Sequence, residues 1–139
     1  MKTYTNGLLA GLVATLVLSV LMIIKAKMGM MPDVNVIAML ASKMGGKPVM
    51  GWLAHFMIGV VGYGLIYPAL FNKLSLGSTM FRGAAMGFTG WVVMMVVAMP
   101  MMGVGMFGLK LASGIMVPII TLVLHLIFGV VLSTVYRKL

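Results

Sequence analysis

The sequence predicts an all-α fold: a four-helix transmembrane bundle made of two repeated helical hairpins, with a short interfacial helix in the first loop. Three observations predict it. Of 139 residues, 63% are hydrophobic and 8% are charged, where an average soluble domain carries about 25% charged residues. Four apolar stretches are each long enough to cross ~30 Å of hydrocarbon at ~1.5 Å per residue. Matching residues recur between the two halves at constant spacing. With a mean hydropathy of +1.20, the chain has too little polar surface to enclose itself in water. It also has too little charge to stay disordered. A single transmembrane domain over residues 1–139 is expected.

The first stretch runs from Gly7 to Ile24, after Thr5-Asn6 as a candidate N-cap. Lys2 followed by an apolar run resembles a signal peptide. The run ends in Lys25-Ala26-Lys27 with no small-x-small cleavage site, so it reads as a retained first transmembrane helix. In the loop from Lys25 to Lys47, Pro32-Asp33 looks like a helix start, because Pro suits the first turn and Asp the positive end of the dipole. Val34, Ile37, Leu40, Ala41 and Met44 then share one face, and Gly45-Gly46 ends the segment. Roughly eleven residues cannot span a bilayer, so this helix is expected to lie at the interface, capped by Asp33, the only acid.

The second stretch runs from Pro48 to Phe71 and stops at Asn72-Lys73. The third runs from Phe81 to Met102 after Ser78-Thr79, and the fourth from Val117 to Tyr136, stopping at Arg137-Lys138. Pro68 and Pro100 fall late in their helices and are expected to kink them. Four spans put both termini on one side. That side carries Lys2, Lys73, Arg82, Arg137 and Lys138; the other carries Lys25, Lys27, Lys43, Lys47 and Lys110. Five against five is no charge bias, so the positive-inside rule does not set the orientation.

The repeat sets Pro48-Val49, His55, Gly59, Val60 and Val61 against Pro118-Ile119, His125, Gly129, Val130 and Val131, all at an offset of 70. The preceding helices match at an offset of 76: Gly7 and Gly11 with Gly83 and Gly87, and Gly29-Met30 with Gly105-Met106. The repeats are placed at about 1–72 and 78–139. Two hairpins of the same orientation are related by an axis along the membrane normal. The histidines then lie at one depth on diagonal helices and face one central site.

Composition excludes several functions. The absence of cysteine removes disulfides, thiol catalysis, iron–sulfur clusters and zinc-thiolate sites. The net charge of +9 belongs to loops and headgroups rather than to nucleic acid, since no long basic run occurs. No carboxylate lies in a membrane stretch, so paired acid–base catalysis and a Ser–His–Asp set are both missing their acid. No phosphate-binding glycine loop follows a strand. The chain therefore reads as non-enzymatic.

Ionisable groups inside a bilayer are functional candidates by default. His55 and His125, with Gly59 and Gly129 one turn on, form a candidate site for b-type haem. Iron accepts two neutral imidazoles, and glycine leaves room for a flat ring. Lys25, Lys27, Lys43, Lys47 and Lys110 lie on the nearer side for the propionates, with Trp52 between. The plainer alternative is that each histidine donates one hydrogen bond and fixes the packing. The 18 methionines open a second candidate, since thioethers select Cu(I) and imidazole helps. His55, His125, Met95, Met99 and Met102 would hold copper, against the alternative that Met simply fills an irregular core.

Gly11-Leu12-Val13-Ala14-Thr15-Leu16, Gly51-Trp52-Leu53-Ala54-His55, Met99-Pro100 and Leu122 to His125 resemble the corresponding helices of a family of small bacterial four-span membrane proteins of unknown function. The resemblance covers most of the chain and implies a four-helix membrane bundle, without an activity. The expected role is electron transfer or metal handling in the bacterial inner membrane. The expected partners are the lipid bilayer and a homo-oligomer or larger membrane complex, to which the chain is accessory. A small dimeric channel or transporter, or a structural subunit, are the alternatives.

Overall fold

The structure is a computed structural model that describes residues 2–139. Five helices form among them: α1 (Lys2–Lys27), α2 (Val36–Ser42), α3 (Pro48–Lys73), α4 (Thr79–Met101) and α5 (Met116–Lys138). No strand occurs among the described residues. All but α2 are long and apolar enough to cross a membrane. Large apolar side chains such as Leu16, Val20, Phe81, Phe88 and Val123 stay exposed on their outer faces. Only lipid tolerates such a surface together with a backbone bonded within its own helices. The protein is a multi-pass membrane bundle.

Ends form where the local chemistry allows. Pro48 opens α3 in the first turn, where its missing N–H costs nothing. Ser78 caps α4 by accepting from Phe81 N at 3.2 Å. At the other end of the chain, α1 runs back to Lys2, so Thr5-Asn6 lies inside the helix rather than capping it. The α2 segment is shorter than foreseen. Asn35, not Asp33, is its cap, with its side chain accepting from Ala38 N at 3.0 Å. Gly45 and Gly46 end it at φ of 93° and 84°, and Gly46 N bonds back to Ala41 O at 2.7 Å.

The helices pack in the ring order α3–α1–α5–α4. On the side away from the termini the ring stays open between α3 and α4. These two meet near the opposite face, where the tight turn Phe71–Lys73 packs on α4. Two glycine seams hold the pairs. Along α1–α3, Gly11 lies so close to Gly59 O and Val60 that an added Cβ would meet them at 2.8 and 3.0 Å. A Cβ on Gly7 would strike Gly64 O, the carbonyl that Pro68 cannot serve with an N–H. Along α4–α5, Gly83 meets Gly129 O and Gly87 meets His125 O. Under the offsets of 76 and 70, Gly87 corresponds to Gly11 and His125 to His55. Gly11 nonetheless packs on Gly59, so the two seams differ in register by one helical turn.

Two stretches widen to π geometry, which the sequence pattern did not flag: Met57–Tyr63 in α3 and Met94–Ala98 in α4. In α4 the cause is plain. Pro100 has no N–H for a bond to Val96 O, and Met99 N bonds five residues back to Met94 O. Pro68 leaves its own helix to end in the tight turn that starts three residues on.

Candidate intramembrane site

Between α1, α3, α4 and α5, on the side away from the termini, lies a cavity of about 800 Å3, covered by α2. His55 and His125 both line it, from two different helices. Below it the bundle closes on Tyr63, Tyr67, Met86, Phe128 and Leu132. Tyr63 stacks edge-on to Phe128, with centroids 5.1 Å apart, and its hydroxyl fills the space beside Gly90.

His55 is buried. Its Nε2 lies 3.1 Å from Ser19 Oγ on α1. Trp52 and Phe56 stand edge-on to its ring, with centroids 5.8 and 5.7 Å away. His125 is half-buried and turns back onto its own helix, Nδ1 donating to Thr121 O at 2.8 Å. The difference has a local cause. At the offset of 76 the position matching Ser19 is Met95, which offers no hydroxyl across the α4–α5 seam.

The remaining foreseen site residues divide. Met99 and Met102 line the cavity with the histidines, while Met95 is off the wall, fully buried and 4.0 Å from Thr121 Oγ1. Met95 and Met99 belong to an apolar core with Met31, Val34 and Val117, as expected of thioethers filling irregular space. Gly59 is on the wall, yet its open side is filled by the Thr15 side chain; Gly129 is off the wall, against the Gly83 backbone. Both glycines serve helix contact. Among the described residues no three His, Cys, Asp or Glu side chains gather.

The cover is tied down by Lys25 and Asp33. Lys25 Nζ donates to the carbonyls of Met30, Met31 and Val34 at 3.2, 3.2 and 2.9 Å, which uses all three of its protons. These bonds hold Met31 in a left-handed conformation at φ 46°. Asp33 accepts from Ser113 N at 2.9 Å and from Ser113 Oγ, joining the first loop to the last. These two bonds, and then Lys25, hold the Asp33 carboxyl below its ordinary range. Of the five lysines foreseen beside the site, only Lys25 reaches the wall. Sequence spacing also missed Ser19, Thr121 and Ser113, since isolated hydroxyls in apolar helices carry no periodic signal.

The profile of the family of unknown function DUF6789 matches residues 1–139. The chain belongs to that family. The match runs from the first helix through the last, so the cavity and both histidines lie within it. No curated protein and no solved structure matches the chain.

Proposed function

We propose that the chain is a non-enzymatic membrane protein that binds one apolar organic molecule in the interhelical cavity, with His55 and His125 as its polar contacts. One observation carries this reading: imidazoles from two helices share one cavity of about 800 Å3 within the span. That volume falls in the 300–1,000 Å3 range typical of small-molecule sites, whose walls are mostly apolar with a few placed polar groups. A bare ion bound at roughly 2.0–2.3 Å needs no such space. A b-type haem would use imidazole, but its propionates want free cations, and Lys25 has spent its protons on three carbonyls. A neutral molecule suits the wall better. The packed floor of Tyr67, Phe128 and Leu132 favours a pocket over a channel.

The test is to purify the protein in mild detergent, record oxidised and dithionite-reduced absorption spectra, and analyse an organic extract by mass spectrometry. The expected result is one apolar molecule per chain, lost from Ala98→Phe, which fills the cavity from α4. Identical extracts of bulk lipid from both proteins, with clear spectra, would overturn the proposal. A Soret band would identify the occupant as haem.

A further inference from the structure

We propose that the cavity selects its occupant by hydroxyl groups: an apolar dihydroxy compound of the hydroquinone type, donating to Nδ1 of His55 and to Nε2 of His125. The inference rests on the binding reading above and names the ligand class for it.

The argument is a count of protons. Thr121 O can only accept, so His125 Nδ1 carries the hydrogen of the 2.8 Å bond. A neutral ring then leaves Nε2 with a lone pair. On α1, Ser19 Oγ gives its single proton to Thr15 O at 2.7 Å, the closer of its two neighbours. Towards His55 it acts as acceptor, so the proton of the 3.1 Å contact belongs to Nε2 of His55. Nδ1 of that ring is then the lone pair. Neither lone pair has a partner among the described residues. Both rings are neutral because a charged one would stand unpaired in the span. The only acid, Asp33, is bound to Ser113 outside it.

The surrounding hydroxyls add acceptors, not donors. Thr15 Oγ1 donates to Gly11 O at 2.7 Å and Thr121 Oγ1 to Val117 O at 2.5 Å. The donors left on the wall are the Tyr63 hydroxyl, held against Gly90, the Trp52 indole, and the Asn35 amide nitrogen at the cover, whose oxygen caps α2. Two lone pairs from opposite helices therefore call for a guest with two donors. A quinone or ketone, which only accepts, leaves both nitrogens unsatisfied in an apolar medium, a costly arrangement. A zinc-like ion would also take lone pairs, but the wall gathers no third imidazole or carboxylate to complete its shell.

The chain has two histidines, so 15N-histidine labelling of the full-length protein in nanodiscs gives four ring-nitrogen resonances. We expect one protonated and one bare nitrogen per ring, with the bare ones at Nδ1 of His55 and Nε2 of His125. Decylhydroquinone, added under argon, should move both bare resonances upfield. Its dimethyl ether, of similar shape but without donors, should bind at least 10-fold more weakly. His55→Ala and His125→Ala should each lower hydroquinone affinity at least 10-fold, read by the shift in Tm. Equal binding of ether and hydroquinone, tighter binding of decylquinone, or the opposite tautomers would overturn the hydroxyl assignment while leaving the cavity reading standing. Failure of all three probes to bind, together with no co-purified molecule, would overturn the cavity reading itself.

Discussion

Alanine at Gly87 and alanine at Gly62 are the same chemical change in two transmembrane helices, and the structure assigns them opposite outcomes. A Cβ on Gly87 would run into the His125 carbonyl oxygen. It would also lie 2.9 Å from the carbonyl carbon and 3.2 Å from Leu126 Cα. All three are backbone atoms, so no rotamer change relieves the clash and α5 must move away from α4. A Cβ on Gly62 would meet only Met57 O, at 4.0 Å. Each substitution gains up to about 1 kcal/mol of helix propensity. Overpacking at Gly87 costs about 1–3 kcal/mol against it. The propensity gain is common to both, so the difference between the variants isolates the seam: about 1–3 kcal/mol, a factor of roughly 5–30 in the folded ratio for one to two of them. Reversible unfolding of both variants in mixed micelles of SDS and mild detergent measures it. Because the clash falls on His125, Gly87→Ala should also lose the cavity occupant. Equal stability of the two variants would refute the argument that this backbone contact closes the α4–α5 pair.

Other perturbations test the cover and the core. Asp33→Ala should release the loop that carries α2 from Ser113, and Lys25→Met should free its three carbonyls; trypsin cutting after Lys43 should then be several-fold faster in either variant. The Asp33 carboxyl is held below its unfolded range, so its contribution is present above the ordinary carboxylate pKa and is lost as pH falls through the lowered one. Trypsin is inactive in that acid range, so pepsin digestion from pH 4 to 2 should show the loop opening only at the acid end in the wild type. Trp91 Nε1 donates to Pro118 O at 3.0 Å across the α4–α5 pair. Trp91→Phe should cost about 1 kcal/mol in the same micelle titration, by loss of that bond.

How much of this was legible in the sequence depends on what carries each feature. The spans were, since hydrocarbon thickness and continuous hydropathy leave little choice. The predicted Pro48 and Ser78 starts were met, because proline and hydroxyl caps act locally. The pairing of Gly7 and Gly11 with α3, and of Gly83 and Gly87 with α5, was half legible. Small residues at i and i+4 announce a close contact but not its partner or its register. Asp33 was misplaced as a cap because its true partner, Ser113, lies 80 residues away. That histidines on two different helices line one cavity was foreseen from spacing. That Gly59 and Gly129 hold helix contacts was not, since glycine reads identically at a packed seam and on an open wall.

The one-turn difference between the seams also bears on why a cavity exists. With equal registers, His55 would meet α1 opposite Gly11, as His125 meets α4 opposite Gly87. It instead sits one turn farther along α1, past Thr15, and its side chain reaches on to Ser19. The α3 backbone is joined tightly to α1 over Gly7, Gly11 and Thr15, and beyond that stretch the contact passes to a hydroxyl and an imidazole. Side chains of that length hold helices farther apart than glycine does. On the other side of the opening, α4 carries its π turn at Met94–Ala98 and the bulky Met99 and Met102. Glycine closes the bundle towards the termini. The larger and polar side chains beyond it leave the open space, and both imidazoles fall on its wall.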